Sequence, residues 1–229
     1  MIAATHPTVD SFPEANGEQR RPWRATLALL STVLLLGLVA TTFWYQDWRY
    51  SLPTPRPSGL EQLALGARVP DSIRAELGPD DGRPVFLHFT SPFCPCSRFV
   101  LDHVRELVRA HGREVRFVAV VRPEDDSEAE PLAPDLTGLG IEQVADVGGR
   151  IAAGLGVYAT PQAVVVARDG ALWYRGNYNA SRYCTSPGSA FARLALEALL
   201  GGVPRPAVPE AAARAYGCAL PARRPGGAG

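Results

Sequence analysis

The sequence has no lysine at all; every one of its 23 basic residues is arginine. With Ala, Gly and Pro plentiful, this reads as a compositional habit rather than a functional mark. It also lacks an excess of either charge: 23 Asp and Glu balance the arginines. That balance gives no reason to expect nucleic acid as a partner. Cysteine is scarce, with four in 229 residues: Cys94, Cys96, Cys184 and Cys218. Four are too few for a small disulfide scaffold, and they lack the paired C-x-x-C knuckles of a zinc module. Histidine is equally sparse (His6, His88, His103 and His111), with none after position 111. No internal repeat is present, and no motif for a cofactor or metal is read.

What the chain does have begins with one long apolar run. "ATLALLSTVLLLGLVATTFWY", residues 25–45, carries no charge. Its 21 residues, at about 1.5 Å each, match a hydrocarbon core of about 30 Å. Arg20, Arg21 and Arg24 precede it, Trp23 marks one interface, and Phe43, Trp44, Tyr45 and Trp48 mark the other. The run is long for a signal peptide, and the small-residue exit near Ala40 is followed by bulky aromatics. It reads as one uncleaved transmembrane helix in the inner (cytoplasmic) membrane, with the N-terminus inside. Residues beyond it then sit in the periplasm or outside the cell, where disulfides persist. Residues 1–24 read as a disordered cytoplasmic segment, and residues 46–60 as a proline-rich spacer.

A single domain is expected over 61–220, with a disordered tail over 221–229. "PVFLHFT" and "EVRFVAVV" read as buried strands, separated by the helical pattern of "SRFVLDHVRELVRAHG". "VADVGGRIAAGLGV" suggests a short helix. "PQAVVVA" and "ALWYRGN", joined by "RDG", form a hairpin, and "PGSAFARLALEALLGG" a closing helix. Strands joined through helices imply parallel neighbours, and the hairpin adds antiparallel ones. The fold class is therefore α/β, with a mixed central sheet between helices. The acidic stretch with Asp125, Asp126, Glu128 and Glu130 reads as a solvated loop before a metal site.

The chemistry concentrates in "SPFCPCSRF". Cys94 falls where a buried strand gives way to a helix, so unpaired backbone N–H groups and the helix dipole favour its thiolate. Pro95 suits the first helical turn. Further on, Thr160-Pro161 precedes a strand; such a bond is either cis, fixing a sharp turn, or an ordinary trans break.

"FLHFTSPFCPCS" with "TPQAVVVARDGALWYRG" resembles the thioredoxin superfamily, in particular the membrane-anchored, extracytoplasmic TlpA and ResA type of bacteria. "YRGNYNASRYC" and "AYGCALP" are similar to an uncharacterised subgroup with a C-P-C site. The resemblance implies a thioredoxin-like three-layer sandwich and a thiol-disulfide oxidoreductase. Its substrates would be protein thiols or disulfides, and a further redox partner would reset it. It puts Cys94 at the nucleophile, and Thr160 and Pro161 at the substrate groove.

The resolving position of C-x-x-C, however, is Ser97, and Cys96 comes one residue early. Either Cys94 and Cys96 close a short strained ring, whose strain favours an oxidant, or Cys184 folds back to resolve Cys94. The simplest role for Cys218 is a structural bridge to Cys184. Three rival readings attach to the same fold. A copper chaperone of the Sco type needs a late-loop histidine, which is missing. A thiol peroxidase needs a proline and a threonine at fixed distances before the cysteine; Thr90 is one residue too far, although Arg98 and Arg175 could polarise a peroxide. The third is a non-catalytic binding module. Tyr174 to Tyr183 either line a groove beside the site or pack as a loop.

Overall fold

A computed structural model describes residues 22–123, 133, 136, 138–180 and 187–220. The chain divides into two units, Met1–Gln46 and Asp47–Gly229. Helix α1 (Pro22–Ser51) contains a stretch, Trp23–Gln46, long and apolar enough to cross a membrane. Its leucines and valines are exposed. Thr32, Thr41 and Thr42 return their hydroxyls to carbonyls four residues back, which hides those polar groups within the helix.

The second unit is built on a five-stranded sheet in the order β3-β2-β1-β5-β6. The strands are β1 (Val85–Thr90), β2 (Arg116–Val121), β3 (Glu142–Ala145), β5 (Gln162–Val166) and β6 (Leu172–Gly176). The first three are parallel; β5 runs antiparallel to β1, and β6 antiparallel to β5. Strand β1 is central because its side chains are apolar on both faces. Leu87 and Phe89 join Val118, Val120, Val164 and Val166 on one side. Helices α2 (Asp71–Glu76) and α5 (Arg150–Leu155) cover that side with Ile73, Ile151 and Leu155. Phe86 joins Phe117, Ala163 and Val165 on the other, beneath α4 (Leu101–His111) and α6 (Phe191–Leu200). Each fully buried Phe or Leu contributes about 2–3 kcal/mol of transfer free energy, so a sheet covered on both faces is favoured. The result is a thioredoxin-like α/β fold with a mixed sheet and one long apolar helix before it.

Three features differ from the expectation. The helix after β1 is interrupted: α3 (Pro95–Arg98) ends before α4 begins, and Phe99 between them is exposed while Val100 is buried. The edge strand β3 is additional; its four residues, "EQVA", carry no clear alternation. The segment after α6 is not a plain tail. It forms α7 (Glu210–Ala213) and β7 (Cys218–Ala219), and β7 pairs antiparallel with β4 (Ala159–Thr160). Thr54, inside the proline-rich stretch, is buried against this segment; its N–H donates to the Ala215 carbonyl and its hydroxyl to that of Gly217.

Candidate functional site

The buried strand β1 ends at Thr90, and Ser91-Pro92-Phe93 carries the chain into α3. The Cys94 N–H donates to the Ser91 carbonyl at 3.1 Å, and the Cys94 carbonyl accepts from the Ser97 N–H at 3.0 Å. Cys94 is thus the cap of α3, with extended backbone and Pro95 at the first helical position. Its side chain turns inward and is 2% exposed; Cys96 is 4% exposed. Beside them a pocket of about 240 Å³ opens, lined by Thr90, Pro92, Ser97, Arg98 and Leu101 among others.

The Thr160–Pro161 peptide is cis, and it brings the Thr160 carbonyl oxygen to 3.3 Å from the Cys94 Sγ. Register then places Cys218 opposite Thr160 across β4 and β7. The Sγ atoms of Cys94, Cys96 and Cys218 all lie within 4.8 Å of one another, and all three are thiols. A sequence separation of 122 residues from Cys96 is closed by local devices. Gly217 has φ of 141°, and a methyl group there would collide with the Thr160 carbonyl oxygen; only glycine allows that approach. Leu220 N–H donates to the Tyr158 carbonyl at 2.9 Å, and Ala215 N–H to the Tyr158 hydroxyl at 3.2 Å.

The electrostatics follow from the same cluster. The Cys218 thiol, then the Cys96 thiol, donate toward Cys94 and hold its pKa well below the ordinary thiol range, against the opposing effect of burial. The contact of Cys94 Sγ with the Thr160 carbonyl favours the protonated thiol, as burial does, while the two thiol donors favour the thiolate. Cys218 is pushed the other way: its proton is held by hydrogen bonds to Cys94 and then Cys96, with burial adding to them.

The other candidates fall elsewhere. Cys184, proposed to bridge Cys218 or to resolve Cys94, lies outside the described residues, as do Asp125, Asp126, Glu128 and Glu130. His88 and His103 are buried on the α4 side of the sheet. His88 Nδ1 is 2.7 Å from the Tyr178 hydroxyl, and the His103 ring meets Tyr178 edge-on at 5.6 Å. Arg175 donates to the Leu63 and Leu155 carbonyls, a structural role in place of the peroxide contact. Tyr174 and Tyr178 are both 2% exposed, so this part of the "YRGNYN" stretch builds core and not a groove. Residues 181–183 of that stretch lie outside the described residues. Cys218 is the site neighbour that sequence reading misses. Its one signal is the glycine before it, which marks a close backbone approach.

The fold is shared with two solved structures. A hypothetical protein from Sinorhizobium meliloti matches with TM-score 0.53 at 18% identity, over 69% of this chain and 94% of that one. An uncharacterized conserved protein from Geobacillus kaustophilus matches with TM-score 0.53 at 20% identity, over 69% and 92%. The thioredoxin domain of a thiol-disulfide oxidoreductase from Bacteroides vulgatus is similar at TM-score 0.41 and 15% identity, over 54% of this chain and 96% of that one. No curated protein matches the chain. Residues 65–220 match the domain of unknown function DUF6436, and the chain, most of whose folded unit lies in that match, belongs to this family.

Proposed function

We propose that this protein is a membrane-anchored thiol-disulfide oxidoreductase whose folded unit works outside the cytoplasm, with Cys94 as its nucleophile. The observation that carries the reading is the position of Cys94. It caps α3 at the end of the central strand, 3.3 Å from the carbonyl before cis-Pro161, with two thiols donating to it. A cysteine stabilised as thiolate at a strand-to-helix junction is the attacking group such exchange requires.

In the forward direction the Cys94 thiolate attacks one sulfur of a substrate disulfide. A Cys94–substrate disulfide forms, and the other substrate sulfur leaves as a thiolate that takes up a proton. Cys96 then gives up its proton and attacks the Cys94 sulfur, releasing the second substrate thiol. The substrate gains two electrons and two protons, and the protein is left with a Cys94–Cys96 disulfide. The same steps in reverse oxidise a dithiol. Pro161 gives shape to the bound segment, and Thr160, whose backbone pairs with β7 here, offers it to that segment when β7 gives way; a separate redox partner restores the starting state. Helix α1 serves as the uncleaved anchor, with the N-terminus on the cytoplasmic side.

The test is trapping. In full-length protein in detergent, Cys96→Ser combined with Cys184→Ser and Cys218→Ser leaves no second protein sulfur to resolve an adduct on Cys94. That variant is expected to accumulate mixed disulfides with protein substrates, and adding Cys94→Ser is expected to abolish them. Equal adduct levels with and without Cys94 would refute the reading. The intact mass of the membrane-extracted protein checks the anchor: it is expected to include residues 25–45.

A further inference from the structure

We propose that Cys94, Cys96 and Cys218 together form a three-thiolate binding site for a soft monovalent metal ion, Cu(I). Thiol-disulfide exchange engages two sulfurs of the protein at a time, yet three converge, with every pair within 4.8 Å. At a metal–sulfur distance of about 2.3 Å, three sulfurs around a trigonal ion stand about 4 Å apart, so small side-chain rotations suffice. The third sulfur is held there by construction. Register fixes Cys218 opposite Thr160, glycine at 217 permits the close approach, and Thr54 fastens the Gly217 carbonyl from another segment.

The donor set selects the metal. Among the described residues, no histidine and no carboxylate joins the three sulfurs. Oxygen-seeking ions would find no carboxylate, and Zn(II) would need a fourth ligand such as water; a soft ion content with three thiolates is the match. The site therefore needs no late-loop histidine: its ligands are the three sulfurs. Cys94 and Cys96 are buried, while Cys218 is partly exposed and gives the ion a way in. Binding Cu(I) releases the thiol protons and changes no oxidation state. A Cys94–Cys96 disulfide removes two ligands, so metal and disulfide exclude each other. The inference rests on this geometry alone and stands or falls separately from the oxidoreductase reading.

The experiment is anaerobic titration of the fully reduced, full-length protein in detergent with Cu(I), against a chromogenic Cu(I) chelator. X-ray absorption of the complex then counts the sulfurs. One ion per chain with three sulfur neighbours is expected. Cys218→Ser is expected to leave two sulfurs and to weaken binding by at least about tenfold, the lower end of what loss of a mere outer-shell partner does. Cys218→Met, which supplies a soft thioether, is expected to restore the third sulfur. Failure to retain Cu(I) against the chelator, or two sulfurs in the unaltered protein, overturns the proposal. So does equal affinity of the unaltered protein and Cys218→Ser; the sulfur count decides even if that variant fails to fold.

Discussion

Thr160 and Cys218 are direct partners across the β4–β7 pair, and the carbonyl of the same Thr160 stands 3.3 Å from the Cys94 sulfur. One residue thus joins the end of the chain to the cysteine at the head of α3. Cys218 belongs to the site because backbone pairing puts it there, although it lies 124 residues from Cys94.

Gly217 controls that placement. Gly217→Ala puts a methyl against the Thr160 carbonyl at φ of 141°, a strain of about 1–3 kcal/mol. The strain falls on a two-residue ladder outside the main sheet. Alkylation of Cys218 by a small maleimide is expected to accelerate, with the far-ultraviolet circular dichroism unchanged. An unaltered alkylation rate would show that β7 is not held in this way.

Removing the Cys218 thiol changes the chemistry of Cys94. The Cys218 thiol is the foremost group holding the Cys94 pKa down, so Cys218→Ala is expected to raise it. The sign is that less Cys94 is thiolate at a given pH. Its alkylation in mildly acidic buffer is therefore expected to slow, and the ultraviolet thiolate absorbance to appear at higher pH. An unchanged titration of Cys94 would assign its stabilisation to Cys96 and the helix start.

His88 makes stability depend on pH. Burial lowers its pKa from 6.5 to about 4, so between these values the unfolded chain takes up a proton that the folded chain refuses. Stability is expected to fall as pH falls through that window, by up to about 3 kcal/mol from this residue. His88→Gln keeps a polar side chain for the Tyr178 hydroxyl and removes the titration. Chemical denaturation at several pH values should then give a flatter profile, and an equally steep one would assign the slope to other groups.

Much of this architecture is legible in the sequence because its signals are local. "PVFLHFT" is apolar on both faces, as only a central strand needs to be, and "RDG" marks the β5–β6 hairpin by turn chemistry. The cysteine at the junction is legible for the same reason. The elements that escape reading are short and stabilised by distant partners. Strand β3 has four residues and depends on the β2 backbone. Strand β7 has two, and its position follows from Thr160, Thr54 and Tyr158, none of which its own sequence announces. The break between α3 and α4 is similar: the apolar spacing of Phe99 and Val100 continues the helical pattern, while their N–H groups bond three residues back, to the Cys96 and Ser97 carbonyls.

Asp146 is another contact of that kind. Its buried carboxylate accepts from the Ile151 N–H at 2.8 Å and the Ala152 N–H at 3.1 Å, closing the start of α5. Asp146→Ala leaves those two donors without a partner and is expected to destabilise the fold by about 2–3 kcal/mol. Thermal unfolding measures it, and a change under half a kcal/mol, roughly that of an ordinary surface substitution, would contradict the assignment.

The most direct test of the central claim is a redox titration of the full-length protein in detergent, equilibrated in glutathione buffers of graded potential. The thiols are then blocked by alkylation and mapped by mass spectrometry. One two-electron transition is expected, in which Cys94 and Cys96 lose reactivity together as a disulfide. Cys94 that stays open to alkylation across the whole range would contradict it.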